Sequence, residues 1–93
     1  VYLILDTTNG QQYVGSAYGK DGIWGRWSDY VHTKHGGNKI LIELLANDPL
    51  RYKKFQFSIL NVLPNSSLRE QVIQLEQITK TKLGTRTFGL NSN

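Results

Sequence analysis

One acid, one arginine and three phenols are the side chains of this sequence best placed to do chemistry. Only seven carboxylates are present: Asp6, Asp21, Asp29, Glu43, Asp48, Glu70 and Glu76. Asp6 and Asp48 stand at expected turns, and Glu70 completes a Ser67-Leu68-Arg69-Glu70 capping box. Glu43 and Asp29 read as solvated helix positions. Glu76 has no such explanation. It lies mid-helix with Val72 and Leu83 within about 40° of it on the helical wheel, at the border of an apolar face. An acid there needs a cation, a proton or a hydrogen-bond partner. The competing reading is a side chain that escapes to water along the flank of the stripe.

Arg26 and Tyr30 share one helix face, with Trp24 and Trp27 beside them. A planar guanidinium fork can grip phosphate; the blander reading is a surface arginine stacked on an aromatic ring. Tyr2 and Tyr13 belong to two strands joined through Asn9-Gly10, a strong hairpin signal. A two-residue turn pairs Leu5 with Val14 and Asp6 with Tyr13. That puts both phenols on one face but about 13 Å apart. They meet in one site only if the loop is longer by an even number of residues or the strand bends at Gly15. Ordinary amphipathic packing is the alternative. His32 and His35 lack a nearby acid or third histidine and read as solvated helix-end residues. No Walker A loop, HExxH, GxSxG or GxGxxG is present.

The elements that must position these residues follow from the pattern along the chain. Val1–Leu5 and Gln11–Ser16 read as a hairpin, and 17–22 as a glycine-containing loop. Ile23 to about Lys34 is helical, its apolar stripe set by Ile23, Trp27 and Val31, and His35-Gly36-Gly37 stops it. Asn38 caps a second helix from Lys39 to about Asn47. Lys54–Ile59 alternates as a half-buried strand. After a loop over 61–66, a third helix runs from the capping box to Leu83, and Gly84 ends it. The order β-β-α-α-β-α makes this an α+β fold, a small three-stranded, mostly antiparallel sheet flanked by helices. The expected core is Leu3, Leu5, Val14, Trp27, Val31, Leu41, Leu44, Phe55, Phe57, Ile59, Val72 and Leu75.

Composition bounds the rest. Ninety-three residues make a single domain spanning 1–93. Cysteine is absent, which excludes disulfides, Cys-ligated zinc, iron–sulfur clusters and cysteine nucleophiles. No apolar run is long enough to span a bilayer and no signal segment opens the chain, so no membrane partner and a cytoplasmic location are expected. A net charge of +4 admits a phosphate-rich partner without specifying one. Methionine is absent too, and a chain opening at Val1 is expected to be excised from a longer protein.

Taken together, these residues resemble a known family. Val1-Tyr2-Leu3, followed by Tyr13-Val14-Gly15, is similar to the paired tripeptides of the GIY-YIG nuclease family. Gly22-Ile23-Trp24-Gly25-Arg26-Trp27-Ser28-Asp29-Tyr30 looks like that family's first helix with its arginine. Leu75-Glu76-Gln77 resembles its late helix with the metal-binding glutamate, and Phe88-Gly89-Leu90-Asn91 its closing Gly-x-Asn. The chain departs from the pattern where the leading Gly of the first tripeptide is missing and where Ser16 replaces the lysine some members carry.

The resemblance implies a divalent-metal-dependent DNA endonuclease whose catalytic residues are Tyr2, Tyr13, Arg26, Tyr30, Glu76 and Asn91. Glu76 would hold Mg²⁺ or Mn²⁺, with water and phosphate completing the shell. Arg26 would bind the scissile phosphate. Tyr2 is the candidate general base, with its pKa lowered by Arg26 and the metal, and Tyr13 positions the water or phosphate. The two tyrosines are interchangeable at this level. Tyr30 would support Tyr2 or the phosphate, and Asn91 would tie the C-terminal segment to the site. Ser16, His35, Asn38 and Lys39 are expected to touch DNA, with Lys53, Lys54, Lys80, Lys82 and Arg86 supplying the wider positive field. Such contacts carry little sequence information, so a separate DNA-reading domain is expected elsewhere in the protein. The alternative is a non-catalytic nucleic-acid-binding module on the same fold.

Overall fold

The structure, a computed structural model, describes residues 1–18, 22–64 and 67–91. Asp21 and parts of the two expected loops, 19–21 and 65–66, lie outside the described residues. Strands β1 (Tyr2–Asp6) and β2 (Gln12–Gly15) are followed by helices α1 (Gly22–Thr33) and α2 (Lys39–Asn47). Strand β3 (Phe55–Ile59), helix α3 (Arg69–Leu83) and a short helix α4 (Thr85–Phe88) complete the order. The sheet order is β2-β1-β3, and both pairings are antiparallel. Two pieces were not expected from the sequence: the 3₁₀ turn Arg51–Lys54 before β3, and α4. Both are single turns, too short to show an apolar period.

The hairpin differs from the two-residue expectation. Leu5 pairs with Gln12, and Ile4, not Asp6, lies opposite Tyr13. The Asp6 carbonyl accepts from both Asn9 N and Gly10 N, and Asp6 N donates to Gln11 O. The loop is therefore four residues, Thr7 to Gly10, with a carboxylate oxygen of Asp6 holding Thr8 N at 2.9 Å. A loop longer by two residues preserves the parity of the pairing, so Tyr2 and Tyr13 stay on one face. It also brings Tyr13 two steps along the strand toward Tyr2.

Which face of β1 turns inward is also a correction. Tyr2, Ile4 and Asp6 are buried, while Leu3 and Leu5 are half-buried. Hydropathy alone selects the two leucines. The helices instead cover the Tyr2–Ile4 side, where Tyr30 of α1, Leu41 of α2 and Leu90 close the core. Asp6 tolerates this because Arg51 Nε donates to its Oδ2 at 2.9 Å. Val31, Phe57 and Ile59, also expected inside, are exposed. Tyr30 is the deeply buried residue of α1, so the inward stripe is rotated by one position from Val31. Phe57 and Ile59 stand on the edge strand β3, where helix cover ends; the Phe57 ring still meets Tyr30 at 5.5 Å between centroids.

Local signals held elsewhere. Asn38 caps α2 by accepting from Leu41 N at 2.8 Å. The α3 cap lies one residue later than Ser67: Leu68 is the cap position, and the Gln71 side chain accepts from Leu68 N at 2.9 Å. Glu70 is left exposed. α3 and α4 pack against β2. No helix of the described residues is long and apolar enough to cross a membrane.

Candidate active site

The site is built where β1, β2, α1 and α3 meet. Tyr2, Tyr13, Ser16, Arg26, Asp29, Glu76 and Gln77 line one open cleft of about 720 Å³. The strands contribute Tyr2 and Tyr13, whose ring centroids are 6.3 Å apart. Tyr2 is almost fully buried, and its ring lies against the backbone of Gly15. A Cβ at Gly15 would overlap the Tyr2 ring and hydroxyl. Glycine at that position is thus a packing requirement of the phenol.

Helix α1 contributes Arg26 and Tyr30 from one face, as four-residue spacing dictates. Arg26 donates from Nε and Nη2 to the Tyr2 hydroxyl, both at 3.4 Å. Nη2 also donates to Gly36 O at 3.3 Å. Asp29 lies 3.5 Å from Nη1 and is exposed. Tyr2 and Tyr30 share a hydroxyl–hydroxyl hydrogen bond of 3.1 Å, and Arg26 sits 5.4 Å from the Tyr30 ring centre. Gly36 closes this corner. Its φ of +58° and a would-be Cβ 2.6 Å from the Tyr30 ring leave room for no side chain.

Helix α3 contributes Glu76, whose side chain is 15% exposed. Ser16 donates to its Oε1 at 3.2 Å, and Lys80 Nζ lies 3.6 Å from Oε2. Behind the cleft, Asn91 makes a two-point clasp on β2. Its Oδ1 accepts from Val14 N at 2.8 Å and its Nδ2 donates to Val14 O at 2.9 Å. Leu90 N adds a bond to Gln12 O. The C-terminal segment thereby satisfies backbone groups on the outer edge of β2.

The tyrosines titrate differently from the sequence expectation. Burial pushes the Tyr2 phenol above its ordinary value, with Tyr13 adding to the effect, and outweighs the opposing bonds from Tyr30 and Arg26. Tyr30 is raised too, first by burial and then by the neighbouring phenols. In the protein alone, Arg26 does not win over desolvation, so Tyr2 and Tyr30 are neutral phenols near pH 7. Tyr13 is only half-buried and opens on the cleft.

Of the expected catalytic residues, Tyr2, Tyr13, Arg26 and Glu76 face the common cleft. Tyr30 and Asn91 stand behind it as supports. Of the expected DNA contacts, Ser16 is in the cleft and bonded to Glu76. Asn38 is occupied as a helix cap and His35 Nδ1 accepts from Gly37 N, while Lys39 is exposed. Lys80 is a clear correction. Expected at the surface, it is buried to 3% exposure and turned toward Glu76. The signal was present in the Glu76-to-Lys80 spacing of one helical turn.

No group of three His, Cys, Asp or Glu able to hold a metal occurs among the described residues. Of the two carboxylates lining the cleft, Asp29 is exposed beside Arg26 and Glu76 is half-buried. Glu76 on this open polar cleft fits a Mg²⁺ that keeps most of its water.

Comparison with known proteins bears on the family and the fold. The family model described as the GIY-YIG catalytic domain matches residues 1–91. A solved structure, that of the catalytic domain of the homing endonuclease I-TevI, superposes with a TM-score of 0.70 at 24% identity. The match covers 97% of this chain and 92% of that one, and shows a shared fold. No curated protein matches the chain.

Proposed function

From the premise that the chain belongs to the GIY-YIG family of nuclease domains, we propose that it is a divalent-metal-dependent endonuclease hydrolysing DNA phosphodiesters through Tyr13, Arg26 and Glu76. The observation that carries this reading is the convergence of a guanidinium, two phenols and a half-buried carboxylate, from four separate elements, on one cleft.

Hydrolysis needs a deprotonated water attacking phosphorus and cations opposing the charge that builds on the phosphoryl oxygens. Arg26 is pre-aimed for the second task. Its contacts to Tyr2 and Gly36 fix the guanidinium at the cleft wall, so little ordering remains when phosphate arrives. Glu76 would hold the divalent cation, which would supply further positive charge at the phosphate and favour ionisation of water there. Tyr13 is the half-buried phenol that opens on the cleft and is the candidate general base. Tyr2, buried and neutral, positions Arg26 and Tyr30. Tyr13, as the phenolate, would take one proton from the attacking water; the new bond joins that water's oxygen to phosphorus, the phosphorus–oxygen ester bond breaks, and the leaving oxygen takes a proton from solvent.

Lys39 is a candidate contact to the DNA backbone, and sequence selection would fall to a separate reading domain. A plasmid-nicking assay tests the proposal. Divalent metal should produce nicks, and Glu76→Ala or Arg26→Ala should abolish them with the fold intact. Cleavage retained in both variants would sink the mechanism. Salt-sensitive DNA binding without any turnover would favour the non-catalytic module instead.

A further inference from the structure

Helix α3 buries two residues, Val72 and Lys80. A lysine near a helix C-terminus normally keeps its ammonium in water, as its exposed neighbour Lys82 does. Burying the charge is unfavourable unless a partner compensates it. For Lys80 that compensation includes the Glu76 carboxylate. The two oxygens of Glu76 are thus held differently in the free protein. Oε1 accepts from the Ser16 hydroxyl, a neutral donor. Oε2 faces a buried cation.

We propose that Lys80 is a positioning residue that holds Glu76 in an internal ion pair, so that the free protein binds a divalent cation weakly and loads it together with the DNA phosphate. The inference rests on the functional reading of Glu76 as the metal ligand. A divalent cation approaching the pair meets a carboxylate whose charge Lys80 already offsets. The scissile phosphate brings a fresh negative charge to the same cleft and restores the attraction. Metal and DNA then bind cooperatively, each tightening the other by the same factor.

The test reads Mn²⁺ binding to the whole chain without DNA, by electron paramagnetic resonance of the free ion. Lys80→Met keeps the length and suits a buried site, while Lys80→Arg keeps the charge. Lys80→Met should tighten Mn²⁺ binding about tenfold, and Lys80→Arg should stay close to the native chain. In the native chain, a duplex with an uncleavable backbone should tighten Mn²⁺ binding by a similar factor, and Lys80→Met should lose most of that gain. Unchanged or weaker Mn²⁺ binding in a folded Lys80→Met protein overturns the proposal. If that variant does not fold, equal Mn²⁺ affinity of the native chain with and without duplex overturns it. Binding abolished by Glu76→Gln but indifferent to Lys80→Met removes this inference alone. Binding that survives Glu76→Gln removes the functional reading and this inference with it.

Discussion

Two of this small domain's ion pairs, Asp6 with Arg51 and Glu76 with Lys80, are built for different ends. Asp6 is completely buried at the end of β1, 2.9 Å from Arg51 Nε, with Thr8 N on its other oxygen. Glu76 keeps 15% exposure, faces a cleft, and is held at 3.2 Å by a hydroxyl and at 3.6 Å by an ammonium. The first pair is short, satisfied and remote from the cleft residues, as expected of a brace that fixes the hairpin loop to the turn before β3. The second is longer and open to exchange. Distance and access, more than charge, separate an acid that supports the fold from one that can take a new ligand.

Exchanging the roles of the two pairs is the strongest way to break this contrast. Glu76→Gln should lower nicking on the order of 10³-fold and also lower the melting temperature, because it takes a carboxylate from the buried Lys80. Asp6→Ala should act on stability alone. It leaves Arg51 without its buried partner and should cost about 3–5 kcal/mol of stability, read by denaturant unfolding, with activity retained in the fraction still folded. An Asp6 variant as stable as the native chain would erase the distinction.

The paired phenols sharpen it at intermediate scale. Tyr2 and Tyr30 both carry raised pKa values in the fold, against about 10 in the unfolded chain. Below pH 10 both states keep these protons, and their contribution to stability is fully present. Above it the unfolded chain releases protons that the native chain retains. Stability should then fall with rising pH, by at most about 1.4 kcal/mol per pH unit for each tyrosine that keeps its proton in the fold. Melting curves from pH 9 to 11 should show the fall, and Tyr2→Phe should make it shallower. An unaltered slope in that variant would place Tyr2 among the exchangeable groups of the cleft. The smallest effect belongs to a purely local device: Asn38→Ala removes the α2 cap and should cost about 1 kcal/mol, without changing nicking at low temperature.

Much of the fold was legible because its signals are local. Asn38 and the run Lys39–Asn47 define α2 to the residue. The apolar pattern around Val72 and Leu75 places α3 and marks Glu76 as an acid at the edge of an apolar stripe. What was illegible was the choice among competing local partners and the contacts between elements. Ser67 and Glu70 form a plausible capping box on paper, but the helix opens at Leu68 and Gln71 supplies the bond. Lys80 reads as one more surface cation until α3 is set against β2.

The sequence by itself determined the three strands and three longer helices, their order, the single unexplained acid and the pairing of Arg26 with Tyr30 on one helix face. Periodicity does this, because it states which residues point the same way. Only the tertiary structure decided which way that was. Periodicity is equally consistent with either face of β1 turned inward, and helix packing selected Tyr2, Ile4 and Asp6 over two leucines. A hairpin loop longer by two residues leaves the parity of a strand untouched, so residue patterning is silent about the shift that brings Tyr13 to Tyr2. The site depends on both of those choices.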